Sequence, residues 1–300
     1  EGQKKIEDAR VAVLGLGSLG SAIADALVRT GLGFIRVVDR DYVEVSNLNH
    51  QILYDEKSLG RPKVEAGAER LSQINSNVEI EPLAVNISAN NIEEMIEDVD
   101  LVLDATDNMK TRYIINDACV KHGRHWIFTS VLGTYGMNLN IEPGDGPCLR
   151  CLMPEKPESG SLETCETAGV LFTLPRIMGN IAATEAVKYI TGAQPRGEML
   201  TIDLWDNDYE LVNVNRRRTC VTCGERNFEF LSQIEDLVTE ICGKNAVQIS
   251  PSEEAELDLS GLKDRFENAE IMGESMLRIT LDDYELNLFK DGRLIVKGTD

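Results

Sequence analysis

The chain is short of positive charge. Lysine and arginine number 30 against 51 acidic residues, which leaves a formal net charge of −21 over 300 residues. A general nucleic-acid surface needs clustered basic side chains, so a nucleic-acid partner is disfavoured. The one basic run, Arg216-Arg217-Arg218, stands beside a cysteine pair and reads as a solvated turn. Long apolar runs are missing too: none reaches the roughly 20 residues that span a bilayer. The polar start, EGQKKIEDAR, has no signal-peptide core. A soluble cytoplasmic protein with no membrane partner is the expectation. In that compartment the seven cysteines read as metal ligands or reactive thiols before disulfides. Aromatics are only 5%, yet hydrophobic residues reach 42%, enough for a real core. No internal repeat or low-complexity tract is present. The length suits one large domain, or one large and one small.

Strand and helix patterns alternate through the first half. Arg10 to Leu14 and Phe34 to Asp39 read as strands, with a helix from Ser18 to Arg29 between them. A helix over Lys63 to Gln73, the strand-like VEIEPLAV, a helix in NIEEMIEDV, the buried strand Asp100 to Thr106, a helix from Lys110 to Lys121 and the strand WIFTSV follow. This predicts an α/β fold with a doubly wound, mostly parallel sheet. After Gly136 come a strand in MNLNIEP and a Pro/Gly/Cys-rich loop reaching about Cys165. Pro175 to Gly192 is a strong helix, and Asp206-Asn207 marks a hairpin. From about residue 229 a small acidic α+β module is expected. It has helices over Phe230 to Cys242 and Leu259 to Glu267, then strands in LRITLDD, YELNLFK and RLIVKG. The expected division is 1–228 for the large domain, with a crossover-loop region near 143–174, and 229–300 for the module.

Gly15, Gly17 and Gly20 match G-x-G-x-x-G between a strand and a helix. Such a turn lets the backbone approach phosphates at a helix N-terminus. Asp39, 19 residues past Gly20, ends the second strand, where a carboxylate can take ribose hydroxyls. Alone, this pattern says nucleotide, with NAD the common case. The next residues, DRDYVEVSNLNHQ and GRPKVE, add Asp41, Asn47, Gln51 and Lys63, and DATDN adds Asp107 and Asn108 at another strand end. Ligands in such sheets lie beyond the carboxyl ends of the strands. Two acids suit Mg²⁺ held through substrate phosphates, and a lysine suits phosphate charge; hydride transfer needs neither.

Four cysteines form two C-x-x-C pairs, Cys148/Cys151 and Cys220/Cys223. Four thiolates suit a closed, structural Zn²⁺ site. Two redox pairs, buried thiols or an iron–sulfur cluster are the other readings. Cys165 is alone in a loop ahead of a helix, a setting that can lower a thiol pKa. A loop cysteine without a covalent role is its plain alternative. Cys119, His122 and His125 read as structural, and Cys242 as packing in the module.

Taken together, GLGSLG, D-x-D-x-V-x-x-SNLN-x-Q, GRPKVE, DATDN-x-x-TR and the cysteine pairs resemble the MoeB/ThiF (HesA) family, prokaryotic relatives of ubiquitin-activating enzymes. The resemblance runs from about Gly2 to Phe228. It implies adenylation of the C-terminal glycine of a small ubiquitin-like or sulfur-carrier protein ending in Gly-Gly, using ATP and Mg²⁺. It further implies that Gly15 and Gly17 line the phosphates, that Asp39 holds the ribose, that Asn47 and Lys63 contact the triphosphate, and that Asp107 binds Mg²⁺. It places zinc on the four paired cysteines and a thioester or persulfide on Cys165 in some members, and it implies a homodimer. A downstream sulfur donor would be a further partner. The family usually has arginine where this chain has His50, and many members carry an arginine-bearing segment N-terminal to the point where this sequence begins. Arg61 and Arg112 are the local cations, and the partner's tail is expected to run over the surface near Asp107, Arg112 and Thr134. Three alternatives stay open: a relative that adenylates a carboxylate on a tRNA nucleoside, an NAD-dependent oxidoreductase, and a non-catalytic binding subunit.

Overall fold

Apolar runs decide the architecture. Val11 to Leu14 and Leu101 to Leu103 are fully buried, and every residue of Phe34–Val38 is buried. Strands covered on both faces belong to a parallel sheet flanked by helices. The computed structural model describes residues 1–144, 146–157, 168–232, 238–241, 246–251 and 255–298. Cys165 and Cys242 lie outside these residues, as does the stretch 158–167 of the expected loop. None of the described helices is long and apolar enough to cross a membrane.

The main sheet has eight strands in the order β3-β2-β1-β4-β5-β6-β7-β8. These are β1 (Arg10–Leu14), β2 (Phe34–Val38), β3 (Glu79–Leu83), β4 (Leu101–Asp104), β5 (His125–Leu132), β6 (Tyr135–Ile141), β7 (Met199–Asp203) and β8 (Asp208–Val212). The first five are parallel, and the last three continue antiparallel. The helices are α1 (Gly2–Asp8), α2 (Ser18–Arg29), α3 (Lys63–Ile74), α4 (Ile92–Glu97), α5 (Met109–His122), α6 (Leu149–Leu152) and α7 (Leu174–Thr191). One face of the sheet packs on α2, α3 and α7 around Ile23, Leu27, Val64, Met178 and Ala182. The other packs on α4 and α5 around Ile96, Tyr113, Ile115 and Trp126, with the four paired cysteines in the same cluster.

A second, antiparallel sheet of six strands has the order β11-β12-β13-β14-β10-β9. Its strands are β9 (Val238–Ile241), β10 (Ala246–Ile249), β11 (Ala269–Met272), β12 (Met276–Leu281), β13 (Tyr284–Phe289) and β14 (Leu294–Lys297), with α8 (Leu259–Lys263) against it. Two expectations are corrected here. The described residues of Phe230 to Cys242 do not form the expected helix: a 3-10 turn covers Glu229–Leu231, and Val238–Ile241 pairs antiparallel with β10. Val238, Thr239 and Ile241 are β-branched and gain more from a ladder than from a helix. The helix at Leu259 stops at Lys263 instead of Glu267, and β11 follows at Ala269.

Candidate functional site

The crevice opens where the strand order reverses. From β1 the chain runs outward to β2 and β3, then returns to β4 on the other side of β1. The turns after β1 and β4 therefore diverge beyond their carboxyl ends, at the register pair Leu14 and Asp104.

The turn after β1 is held on several sides. The Gly15 N–H donates to Val38 O at 2.7 Å, and the Leu16 N–H to Asp39 Oδ2 at 2.6 Å. Leu16 O accepts from the Tyr54 hydroxyl at 2.8 Å, and Ser21 Oγ donates to Gly17 O at 2.5 Å. The three glycines answer to different demands. A Cβ on Gly20 would lie 1.9 Å from Gly15 O, and one on Gly15, at φ +92°, 2.7 Å from Ala105 O. The fold itself requires those two. A Cβ on Gly17 would meet only Gln51 Nε2, at 3.9 Å. Space beside Gly17 is thus left open by the protein, and the buried Gln51 Oε1 has no hydrogen-bond partner. An open cradle at a helix N-terminus fits a phosphate group, and the unmatched Gln51 oxygen, an acceptor, suits a hydroxyl or amino donor of the same ligand.

Asp39 accepts two backbone N–H groups, from Leu16 and, at 2.8 Å, from Asp41. Burial pushes its carboxyl up, and the charge of Lys63 opposes that rise. Lys63 is itself buried, with Nζ 3.3 Å from Asp41 Oδ2. Its N–H donates to Asp41 O at 2.9 Å. Burial, aided by the Lys63 charge, lowers the His50 pKa and so favours the uncharged ring. Two amides expected at the nucleotide give their oxygens to local structure. Asn47 Oδ1 accepts the Glu44 N–H at 3.0 Å, and Asn108 Oδ1 caps α5 by accepting the Thr111 N–H at 2.9 Å. Asp107 is exposed beyond β4, in the turn whose Ala105 and Thr106 abut Gly15.

Arg112 corrects an expectation. It is buried, not on the surface path of a tail. Its guanidinium donates to Thr106 O at 2.5 Å and Ser130 Oγ at 3.0 Å, and its Nε is 3.7 Å from Asp104 Oδ2. Burial pushes the Asp104 carboxyl up, and Arg112 opposes this. A carboxylate inside the sheet needs such a counter-charge, which keeps Arg112 in the wall. Arg61 pairs with Glu69 at 2.7 Å. Tyr54 and Ser21, which brace the glycine turn, carry no local signal in the sequence, since a single hydroxyl outside a motif has many roles.

The four paired cysteines are all buried, and their sulfurs lie within 4.8 Å of one another. Cys148 Sγ is 3.5 Å from Cys220 Sγ, and Cys151 Sγ is 3.5 Å from Cys223 Sγ. A tetrahedral Zn²⁺ with Zn–S bonds of about 2.3 Å holds sulfurs about 3.8 Å apart, so this donor set fits zinc. The sulfurs constrain one another: hydrogen bonding from Cys148 holds Cys151 down to about 4, while Cys148 is pushed up. The basic run is exposed but not merely solvated. Arg216 donates to Cys223 O at 2.9 Å and Arg217 to Arg150 O at 2.6 Å, bracing the cluster. Among the described residues the cysteines are the only group of three or more His, Cys, Asp or Glu placed for a metal. Magnesium bound mainly through phosphates needs only one or two carboxylates, and Asp107 stands where it could supply one. Cys119 is core, His122 meets Glu93, and His125 is buried and stacked on Tyr189 at 4.2 Å.

The fold and crevice define a doubly wound α/β protein with a phosphate-type glycine turn at its switch point and a separate four-cysteine cluster. The ThiF family model matches residues 1–223, and the chain belongs to that family. It is 37% identical over 306 residues to a sulfur carrier protein ThiS adenylyltransferase of Bacillus subtilis, covering 99% of this chain and 90% of that one. It is 37% identical to a SAMP-activating enzyme E1 of Haloferax volcanii, over 78% of this chain and 87% of that protein. Among solved structures, E. coli MccB with ATP has the same fold at a TM-score of 0.67 and 21% identity, covering 74% of this chain and 68% of that one.

Proposed function

We propose that this chain is an adenylyltransferase that activates the C-terminal glycine of a small ubiquitin-like sulfur-carrier protein with ATP. The carrying observation is the open cradle at Gly17, joined through Asp39 to the buried Lys63. The relatives named above act, by their names, on a sulfur carrier and on SAMP. The carrier's carboxylate is already ionised at pH 7, so no general base is needed. Its oxygen attacks the α-phosphorus, the bond to the β-phosphate oxygen breaks, and pyrophosphate leaves. Gly15 and Gly17 line the phosphates, and the Gly17 backbone N–H and the Lys63 ammonium stabilise their charge. Asp39 takes the ribose, and Asp41 orients Lys63. Asn47, Gln51 and Asn108 line the nucleotide. Magnesium, held by Asp107, would neutralise phosphate charge. Zinc on the cysteine cluster is structural. Cys165 would attack the acyl-adenylate to form a thioester with release of AMP, or take the sulfane sulfur of a donor's persulfide with release of the donor's thiol. The working unit is a homodimer built from an adenylation domain over 1–228 and the module over 229–300.

The test is ATP–pyrophosphate exchange by the purified chain, with and without a Gly-Gly-ended carrier. Exchange that appears only with the carrier is expected, with an acyl-adenylate seen by mass spectrometry. Nicotinamide-dinucleotide binding without carrier-dependent exchange would overturn the reading.

A further inference from the structure

The six-stranded sheet meets the main body along the segment from Arg40 to Glu65, which carries the nucleotide side of the crevice. Tyr42 directly follows Asp41, and Pro62 directly precedes Lys63. These neighbours form a one-residue antiparallel bridge, flanked by the Lys63 N–H to Asp41 O bond at 2.9 Å and the Val43 N–H to Arg61 O bond at 2.9 Å. This clasp sets Asp41 and Lys63 side by side. The Tyr42 ring, 5% exposed, lies in the core of the second sheet with Ala246, Met276, Phe289 and Ile295. Lys297 Nζ is 4.8 Å from the ring centre, and Asn287 Nδ2 is 3.4 Å from the hydroxyl.

Arg293, 1% exposed, reaches back the other way. Its Nη1 donates to Arg40 O at 2.7 Å, on the residue between Asp39 and Asp41, and its Nη2 donates to Ala84 O at 3.2 Å, just past β3. Its guanidinium stacks 3.9 Å over the Phe289 ring, and Nε has the Asp291 carboxylate at 3.5 Å. A buried guanidinium is an expensive way to stabilise a small sheet, where an apolar side chain of similar volume does as well or better. What it adds is direction: two donors fixed in a plane hold two carbonyls in one geometry. The first turn of α3 is tied as well, through Glu65 to the Glu274 N–H at 2.8 Å and to the Ser275 hydroxyl.

We propose that Arg293 and Tyr42 are positioning residues for the nucleotide, through which the second sheet sets the Asp39–Asp41–Lys63 side of the crevice. This rests on the adenylyltransferase reading. Neither side chain needs to touch ATP. Both act through the backbone on either side of Asp41.

The experiment is carrier-dependent exchange by the full chain in wild type, Arg293→Met, Arg293→Lys and Leu277→Val. Leu277 is fully buried in the same sheet, in an apolar cluster with Leu259 and Ile279 and apart from Tyr42. Arg293→Met is expected to raise the KM for ATP about tenfold, with kcat within about threefold and the carrier's KM unchanged. Arg293→Lys, which keeps charge but loses the fork, should fall between. Leu277→Val should lower the melting temperature yet leave the ATP KM within about twofold. An unchanged ATP KM in both Arg293 variants overturns the proposal, and so does an equal rise in Leu277→Val, which would mean sheet stability alone. If Arg293→Met does not fold, Arg293→Lys decides. Wild type without exchange sinks the adenylyltransferase reading and this proposal together; active wild type with unaffected variants sinks only the proposal.

Discussion

Two additions close the flanks of the doubly wound body, and they do so differently. The cysteine corner grips the middle of α5. Leu149 N–H donates to Asn116 Oδ1 at 2.9 Å, and Thr222 Oγ1 and the Phe230 N–H donate to Asp117 at 2.7 and 3.0 Å. Asn116 is eight residues along the helix from its cap Asn108, about 12 Å at the usual rise. The second sheet instead grips the segment that carries Asp39, Asp41 and Lys63. Both are devices for pinning the body from outside, but only one touches the crevice. Damage to the first should therefore appear as lost stability, and damage to the second as lost nucleotide affinity.

The largest expected effect is at the cysteine corner. Cys148→Ser or Cys220→Ser should lose about one equivalent of bound zinc and about 10 °C or more of melting temperature. ATP affinity of the folded protein should stay within about threefold. Elemental analysis, calorimetry and titration read the three quantities; full zinc with unchanged melting would break the contrast.

Next in size is a pH effect inside the body itself, independent of either flank. His125 starts β5, and burial holds its pKa at about 4, below the usual value near 6.5. The unfolded chain takes up this proton first. The His125 contribution is therefore complete above about pH 6.5 and is lost as the pH falls toward 4, at most about 3 kcal/mol. Urea midpoints measured across that window should fall steeply in wild type and less in His125→Phe. Equal slopes in the two proteins would remove His125 from the account.

The smallest effects separate fold glycine from ligand glycine. Gly20→Ala should cost about 2 kcal/mol or more, since its Cβ meets a carbonyl oxygen that cannot move freely. Gly17→Ala should stay within about 1 kcal/mol in denaturant yet weaken ATP binding on the order of tenfold. Equal stability losses in the two variants would show that the protein, not a ligand, demands Gly17.

Much of the crevice was legible because its signals are local. The glycine turn, Asp39 at the next strand end and the two C-x-x-C pairs are spacings of a few residues with few structural meanings. The central strands β1, β2 and β4 are legible because both faces are covered, which leaves nearly unbroken apolar runs; the edge strands β3 and β8 are exposed or half-exposed and lack that signal. Charge alone does not reveal a buried partner such as Asp104, so the sequence leaves Arg112 at the surface while the fold puts it in the wall. Val238–Ile241 sits within a long apolar pattern that reads as helix in sequence, although it pairs with β10 as a strand. Tyr54 and Arg293 gave no sign: their partners lie 38 and 253 residues away.

Sequence by itself determined the alternation of strand and helix, the phosphate-type turn and a thiol quartet, since each is set by chemistry within one or two turns of chain. Only the tertiary structure decided that the quartet is a single cluster, that Arg112 is wall and that Tyr42 and Arg293 join the second sheet to the crevice. Those facts depend on which distant backbone groups share a buried, low-dielectric space, and chain order does not encode that distance directly.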